Sequence, residues 1–460
     1  MLKRCLSLFG IALFPILAPA AQERPNVLII VADDLGRADV GFMGAKDIKT
    51  PNLDRFAASG IRLDRFYACP VCSPTRAGLL TGRWPIRYGL MKAVIPPWSD
   101  FGLARTEATL AELLARQNYE RRGMVGKWHL GHHQRAMLPL QRGFTHYYGH
   151  YNGAVDYFTH EREGELDWHR QAEPAREPGY ATDLLAEAAV RFIAESPEGS
   201  PWLLYAAFNA PHDPLQAKPA DLEKYSHLTG KRRAYAAMVD SLDQAIGRVL
   251  AAVEMRKDAD NTLILFMSDN GGVAPAADNR PFRGGKFEVY EGGIRVCAAI
   301  RWNARGWNAG QACEDMLGYI DIAPTVLAAA GATLPGGERA FDGIDLAPIL
   351  ERKKAPPDRP WFSYFAQGGR PAGAAVTQGE WKLVHVGGDV LQAEKAGKVE
   401  LYNLREDPAE QNNVAAGNPE RVAALAARLE NFGVLGIEGV SEYSKGRKGF
   451  VAPKDWTITR

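Results

Sequence analysis

NVLIIVADDLG (residues 26–36) opens on an unbroken aliphatic run and ends in two adjacent carboxylates. A continuous apolar run, as opposed to an alternating one, suits a strand buried on both faces of a parallel sheet. The pattern recurs at residues 202–208 (WLLYAAF) and 262–267 (TLILFM), each preceded by helical periodicity, at residues 181–195 and 233–254. Helix alternating with buried strand predicts an α/β fold, a large, mostly parallel sheet sandwiched by helices. In such sheets ligands gather at the carboxyl ends of the strands. Those ends read Asp33-Asp34, Asn209-Ala210-Pro211-His212 and Ser268-Asp269-Asn270, so three strands deliver polar groups to one edge.

The flanking chain bounds the problem. MLKR, the apolar LSLFGIALFPILA and the small residues Ala18-Pro19-Ala20-Ala21 predict a secretory signal peptide over residues 1–21, too short to span a bilayer. The mature chain is then periplasmic or secreted, and no later run of about 18 apolar residues suggests a membrane anchor. Lys and Arg number 55 against 54 Asp and Glu, which leaves no global field for a polyanion and argues against nucleic acid as a partner. After Gly331 the composition shifts through ERKKAPPDRP at residues 351–360, predicting a catalytic α/β unit over residues 22–355 and a smaller one over 356–460. The latter carries short antiparallel strand patterns at 374–377, 381–386 and 399–402 and a closing helix at 419–432.

Asp33, Asp34 and Asp269, with the amide oxygen of Asn270, form an all-oxygen set suited to a hard cation, calcium before magnesium. Gathering three carboxylates without a cation is costly. Strand-end Asp and Asn also serve as turn residues and caps, which is the plainer reading. In CSPTRAGLLTGR (residues 72–83), Ser73 suits an N-cap and Pro74 the first helical position, which aims free amides and the positive dipole end at residue 72. Cys72 is then open to several readings: a low-pKa thiolate, a metal ligand, half of a disulfide, a buried inert thiol or the precursor of another group. Cys69 and Cys72 make a single C-x-x-C pair, weak support for zinc or redox chemistry. Arg76, Lys127, His129, His212 and Lys286, the last in the loop Arg283-Gly284-Gly285-Lys286, describe a pocket suited to a tetrahedral oxyanion, although each could be a solvated or structural residue.

Cys72-Ser73-Pro74-Thr75-Arg76 followed by Thr81-Gly82-Arg83 resembles the signature of the formylglycine-dependent sulfatases of the alkaline phosphatase superfamily. PNVLIIVADDLG, TPNLDRFAASG, GKWHLG, PHDPLQ, SDNGG and RGGKFEVYEGGIRV occur in the family's order. The resemblance implies an alkaline phosphatase-like fold and conversion of Cys72 to Cα-formylglycine by a maturation enzyme acting on that segment. One hydroxyl of the aldehyde hydrate would attack sulfur and expel the alcohol, leaving a sulfo-enzyme; the second would lose its proton and eject sulfate, restoring the aldehyde. It further implies one calcium ion held by Asp33, Asp34, Asp269, Asn270 and residue 72. Asp269 would be the base for the attacking hydroxyl, Arg76 and Lys127 would hold the hydrate, and His129 would be the base for elimination. His212 and Lys286 would bind sulfate, one of them protonating the leaving oxygen, His212 before Lys286. Thr75, Cys297 and Arg121-Arg122 depart from the common pattern without touching this chemistry.

The Tyr- and His-rich block at residues 143–163 and RPFRGGKFEVYEGG resemble the N-acetylgalactosamine 4-sulfatase (arylsulfatase B) branch and bacterial polysaccharide sulfatases, which implies a sulfated carbohydrate or aryl sulfate substrate, a galactose-type 4-sulfate favoured. Aromatics interleaved with polar groups suit a sugar-binding rim, or else an ordinary loop packed on the core. Two alternatives stand beside this: a formylglycine-dependent phosphodiesterase or phosphonate monoester hydrolase, and a non-catalytic glycan-binding protein of the same fold.

Overall fold

The run that opens the sheet becomes strand β1 (Asn26–Ala32) in the computed structural model, which describes residues 24–389, 391, 397–441 and 443–459. Its side chains divide cleanly: Val27, Ile29 and Val31 enter one hydrophobic cluster, Leu28, Ile30 and Ala32 another. That alternation means both faces are covered. The sheet continues through β2 (Ile61–Leu63), β3 (Arg121–Lys127), β4 (His146–His150), β5 (His169–Arg170), β6 (Glu173–Pro174), β7 (Trp202–Ala207), β8 (Thr262–Ser268), β9 (Ala298–Arg301) and β10 (Gln311–Cys313). Their spatial order is β10-β2-β9-β8-β1-β7-β3-β4-β5-β6. The central five, β8 to β4, are parallel, while β9 and β5 join their neighbours antiparallel. The sheet is therefore mixed at its margins and parallel where the site lies.

Helices cover both faces. Among them, α1 (Pro51–Ala58), α3 (Ala181–Ala194) and α4 (Gly230–Glu254) pack on the Leu28 face, and α2 (Cys72–Thr81) on the Val27 face through Ala77, Leu79 and Leu80. The first turn of α1 finds its acceptor on another helix: Asp243 accepts from the Asn52 and Leu53 amides at 3.1 and 2.8 Å. Helix α4 begins three residues ahead of the predicted start, because its apolar stripe first appears at Tyr235.

The smaller unit holds four antiparallel strands, β11 (Trp361–Phe365), β12 (Gly373–Gln378), β13 (Trp381–Val386) and β14 (Lys398–Asn403), and α5 (Pro419–Val434). Strand β11 escapes prediction because it directly succeeds the Pro- and charge-rich stretch. One face of this sheet receives Leu425 and Leu429 of α5; the other packs Phe365, Ala375, Val384 and Tyr402 against Val71, Cys72 and Val94. The chain then returns to the large unit, where Val440 and Trp456 are buried in its core. The expected signal peptide lies outside the described residues, and among these no helix is long and apolar enough to cross a membrane.

A fully buried ion cluster ties the small sheet to the segment around Glu291 in the large unit. Lys382 on β13 pairs with Glu291 at 2.9 Å and Glu410 at 2.8 Å, and Glu291 also accepts from the Tyr67 hydroxyl at 2.9 Å. Burial pushes Glu410 up to about 7 against the pull of Lys382. Lys382→Met should therefore cost about 3–5 kcal/mol, since it strands carboxyl groups in the interior. Urea unfolding measures this, and a loss below about 1 kcal/mol would show that the cluster is not structural.

Candidate active site

Strand register assembles the site. Ala32 pairs with Ser268 and Val31 with Ala207, which in turn pairs with Gly126, so the next residues of four parallel strands leave the sheet together. The Asp269 amide donates to the Ala32 carbonyl and the Asp33 amide to the Ala210 carbonyl, each at 3.0 Å, extending the alignment past the strand ends. Asp33, Asp34, Asp269, Asn270, Lys127 and His212 thus meet at one edge, and α2 and the 283–293 loop add Cys72, Arg76 and Lys286. A cleft of about 820 Å³ opens above them, with Asp34, Cys72, His129, His212 and Lys286 in its wall.

Each carboxylate has its own side-chain cation. Lys127 Nζ donates to Asp33 Oδ2 at 2.5 Å, Lys286 Nζ to Asp34 Oδ2 at 2.7 Å, and Arg76 Nε and Nη2 to Asp269 Oδ2 at 3.0 and 2.7 Å. The carboxylates that sequence reasoning left in need of a metal are thereby balanced by the protein itself. The case for a cation rests instead on leftover oxygens: Asp33 Oδ1 and Asn270 Oδ1 are buried with no hydrogen-bond partner. Ligand-capable atoms of Asp33, Asp34, Cys72 and His212 all lie within 4.8 Å of one another. The oxygens of Asp33, Asp34 and Asn270 suit a hard divalent ion, whereas the Cys72 sulfur and the His212 nitrogen are softer donors.

The charges tune the groups unequally. Burial raises Asp34, but its neighbouring cations, Lys286 first, outweigh burial and hold it well below the ordinary carboxylate range. Asp269 is raised to about 6, by burial and then by the charge of Asp33, with Arg76 pulling against them. Burial and then Lys286 hold His212 at about 3, and burial with Lys127 and Arg76 holds His129 well below its usual value. Both imidazoles are neutral, with defined faces. His129 Nε2 donates to the Ile95 carbonyl at 3.0 Å, leaving a bare, buried Nδ1; His212 Nδ1 donates to the Asp213 carbonyl at 2.6 Å, leaving Nε2 toward Asp34 at 3.6 Å. A Cβ on Gly153 would meet the His129 ring at 2.5 Å, so only glycine leaves room for it. Asp34 and His129 have φ of 62° and 54°, the strained left-handed region that clusters at functional sites.

Residue 72 is the first of α2, whose N-cap is Val71 and not Ser73. The Ser73 hydroxyl is used elsewhere, donating to the His129 carbonyl at 3.0 Å and accepting from the Ile95 amide at 3.2 Å. Burial pushes the Cys72 thiol up to about 12 in spite of Lys127 and Lys286, which counts against a low-pKa thiolate. All four described cysteines are free, and the Cys69 sulfur is turned to the Tyr319 hydroxyl at 3.1 Å, away from a shared site with Cys72.

Other expectations resolve differently. The tyrosines and histidines of residues 143–163 are largely core: Tyr147 stacks on Tyr151, Tyr151 on His169 and His160 on Trp168. The polar members Asp156, Glu161 and Arg162 line the cleft instead. Arg283 faces the small sheet, stacked on Tyr290 at 3.8 Å and bonded to the Tyr402 hydroxyl at 2.9 Å. Arg121 and Arg122 start β3, at the opposite end from the site, with Arg121 over Phe192. Gln367 and Arg370 also reach the cleft from the smaller unit and Tyr443 from the tail after α5, and no motif marks them.

The family described as Sulfatase matches residues 25–332, and that described as N-sulphoglucosamine sulphohydrolase, C-terminal, matches 285–432. The chain is 30% identical over 460 residues to arylsulfatase J of Mus musculus, covering 90% of this chain and 76% of that protein. It is 33% identical over 421 residues to human N-acetylgalactosamine-6-sulfatase, covering 85% and 79%. Of solved structures, Ps i-CgsB aligns with a TM-score of 0.84 at 31% identity over 92% of this chain and 96% of that one, and its complex with k-i-k-neocarrahexaose with a TM-score of 0.83.

Proposed function

The chain belongs to the sulfatase family of sulfuric ester hydrolases, and from that premise we propose that it removes sulfate from a galactose-type sugar of a sulfated carbohydrate after export and conversion of Cys72 to Cα-formylglycine. The observation that carries this reading is the approach of Asp33, Asp34, Cys72 and His212 to within 4.8 Å of one another, in a cleft that Lys286, Arg162 and Arg370 line alongside Asp156, Glu161 and Glu163. The 4-position is our first assignment. The relative named N-acetylgalactosamine-6-sulfatase supports the 6-position as the second.

Asp33, Asp34, Asp269 and Asn270 would hold a calcium ion, which when bound polarises sulfate oxygens and eases ionisation of a hydroxyl at residue 72. The aldehyde hydrate would supply one hydroxyl to attack sulfur and a second whose deprotonation releases sulfate. Asp269 takes the proton of the attacking hydroxyl. His129 receives the second proton at Nδ1, the nitrogen its carbonyl contact leaves bare. Arg76 and Lys127 hold the hydrate, and Lys286 remains charged to bind a sulfate oxygen, its pKa raised by the carboxylates, Asp34 first, against burial. His212 passes a proton from Nε2 to the leaving oxygen. That nitrogen is bare in the free site, so the ester's negative charge must raise the imidazole on binding.

Turnover on a panel of galactose and N-acetylgalactosamine 4- and 6-sulfates, a nitrophenyl sulfate and the matching phosphodiester tests the reading. Release from a sugar sulfate, lost on chelation and restored by calcium, is expected. Cleavage of the phosphodiester alone, full activity after stringent metal removal, or oligosaccharide binding without any release would each defeat it.

His212→Gln should slow a sugar sulfate, whose alkoxide is a poor leaving group, by about 10²–10⁴-fold while sparing a nitrophenyl sulfate to within about tenfold. Equal losses on both would shift the proton to Lys286.

A further inference from the structure

A second cleft, of about 680 Å³, lies between the large unit and the small sheet. Arg37, Arg62, Arg65 and Arg295 line it from one side and Arg405, after β14, from the other. Three carboxylates share the lining, and two are already taken. Arg62 forks onto Asp64 with Nε at 2.6 Å and Nη2 at 2.8 Å, and Arg405 pairs with Glu380 at 2.9 Å. Only Glu314 is left to answer three more arginines. Arg295 has Glu291 at 3.5 Å, but that carboxylate is held more closely by Lys382.

Arg37 and Arg65 have no ion pair among the described residues. Arg65 donates to the Gly379 carbonyl at 2.6 Å. Arg37 reaches only the Asp64 carbonyl, at 3.4 Å, and its Nε is buried without a partner. Arg37 and Arg295 both lie over the Phe282 ring, at 5.0 and 4.6 Å. The ring face attracts each guanidinium without cancelling the repulsion between them. Burial first, then the charge of Arg295, lowers Arg37 from its ordinary value. A fixed excess of guanidinium groups with spare donors fits an oxyanion with several oxygens, which such forks bind in two-pronged fashion. Phe282 stands four residues before Lys286, so one loop serves both clefts.

We propose that this cleft is a non-catalytic subsite for a sulfate group of a sulfated saccharide chain, an inference that rests on the carbohydrate sulfatase reading. A polymer anchored there gains affinity without any change at the reacting sulfur, so the subsite lowers KM and leaves kcat alone.

Phenylglyoxal labelling of the full chain, mapped by peptide mass, reads the cleft directly at the exposed Arg62 and Arg405. Sulfated hexasaccharides of carrageenan and chondroitin should protect these arginines, their desulfated forms should not, and inorganic sulfate at matched sulfate concentration should protect far less. Equal protection by inorganic sulfate would overturn the saccharide assignment in favour of a small-anion site. No protection by either hexasaccharide or by sulfate would overturn the subsite altogether. Protection in a chain that released no sulfate from any ester would support the subsite while sinking the sulfatase reading on which it was built. The double variant R62Q/R405Q should raise KM for the cleaved hexasaccharide about tenfold, with kcat and nitrophenyl sulfate turnover unchanged. An unchanged KM would contradict the proposal.

Discussion

The pairing of each buried carboxylate with its own side-chain cation is the constraint on which the site depends: Asp33 with Lys127, Asp34 with Lys286, Asp269 with Arg76. Taking six charges out of water costs several kcal/mol per ion unless geometry and hydrogen bonds offset it. Here the register of the parallel strands sets the three acids and Lys127, and α2 and the 283–293 loop bring Arg76 and Lys286 to them. Three negative and three positive groups leave the pocket near neutrality. A divalent ion added to it makes the pocket net positive, which is what an anionic ester and an ionising nucleophile require.

The smaller unit belongs to this arrangement. Its sheet packs on Val71 and Cys72, and the Lys382 cluster grips Glu291 five residues after Lys286. The loop that brings Lys286 to Asp34 is thus anchored on the small sheet. Position 72 sits on the first turn of a helix whose every residue is buried, so its placement is fixed by packing on the sheet above and the strands below.

Much of this was legible in the sequence because buried parallel strands announce themselves as unbroken aliphatic runs, and the residues just past each run form the ligand edge. Asp33-Asp34, His212 and Asp269-Asn270 could be placed from that logic alone. The parts that stayed hidden depended on tertiary partners. Ser73 looks like a cap, but its hydroxyl is drawn to His129 and Ile95 by a loop far along the chain. The Tyr- and His-rich block looks like a sugar rim, yet both faces of β4 are covered, Tyr147 entering one cluster and Tyr148 the other. Counting carboxylates overstated the need for a metal, because Lys127, Arg76 and Lys286 are separated in sequence from the acids they neutralise. Arg370 and Tyr443 reach the cleft from the small unit and the returning tail, where no local pattern signals it.

The mechanism turns on what residue 72 carries, since its thiol is buried and protonated at neutral pH. The most direct measurement is the mass of the peptide spanning residues 72–76 in active enzyme purified from its own host. The account requires the side chain to be an aldehyde, lighter than cysteine by the replacement of CH₂SH with CHO. An intact thiol in fully active enzyme would contradict it.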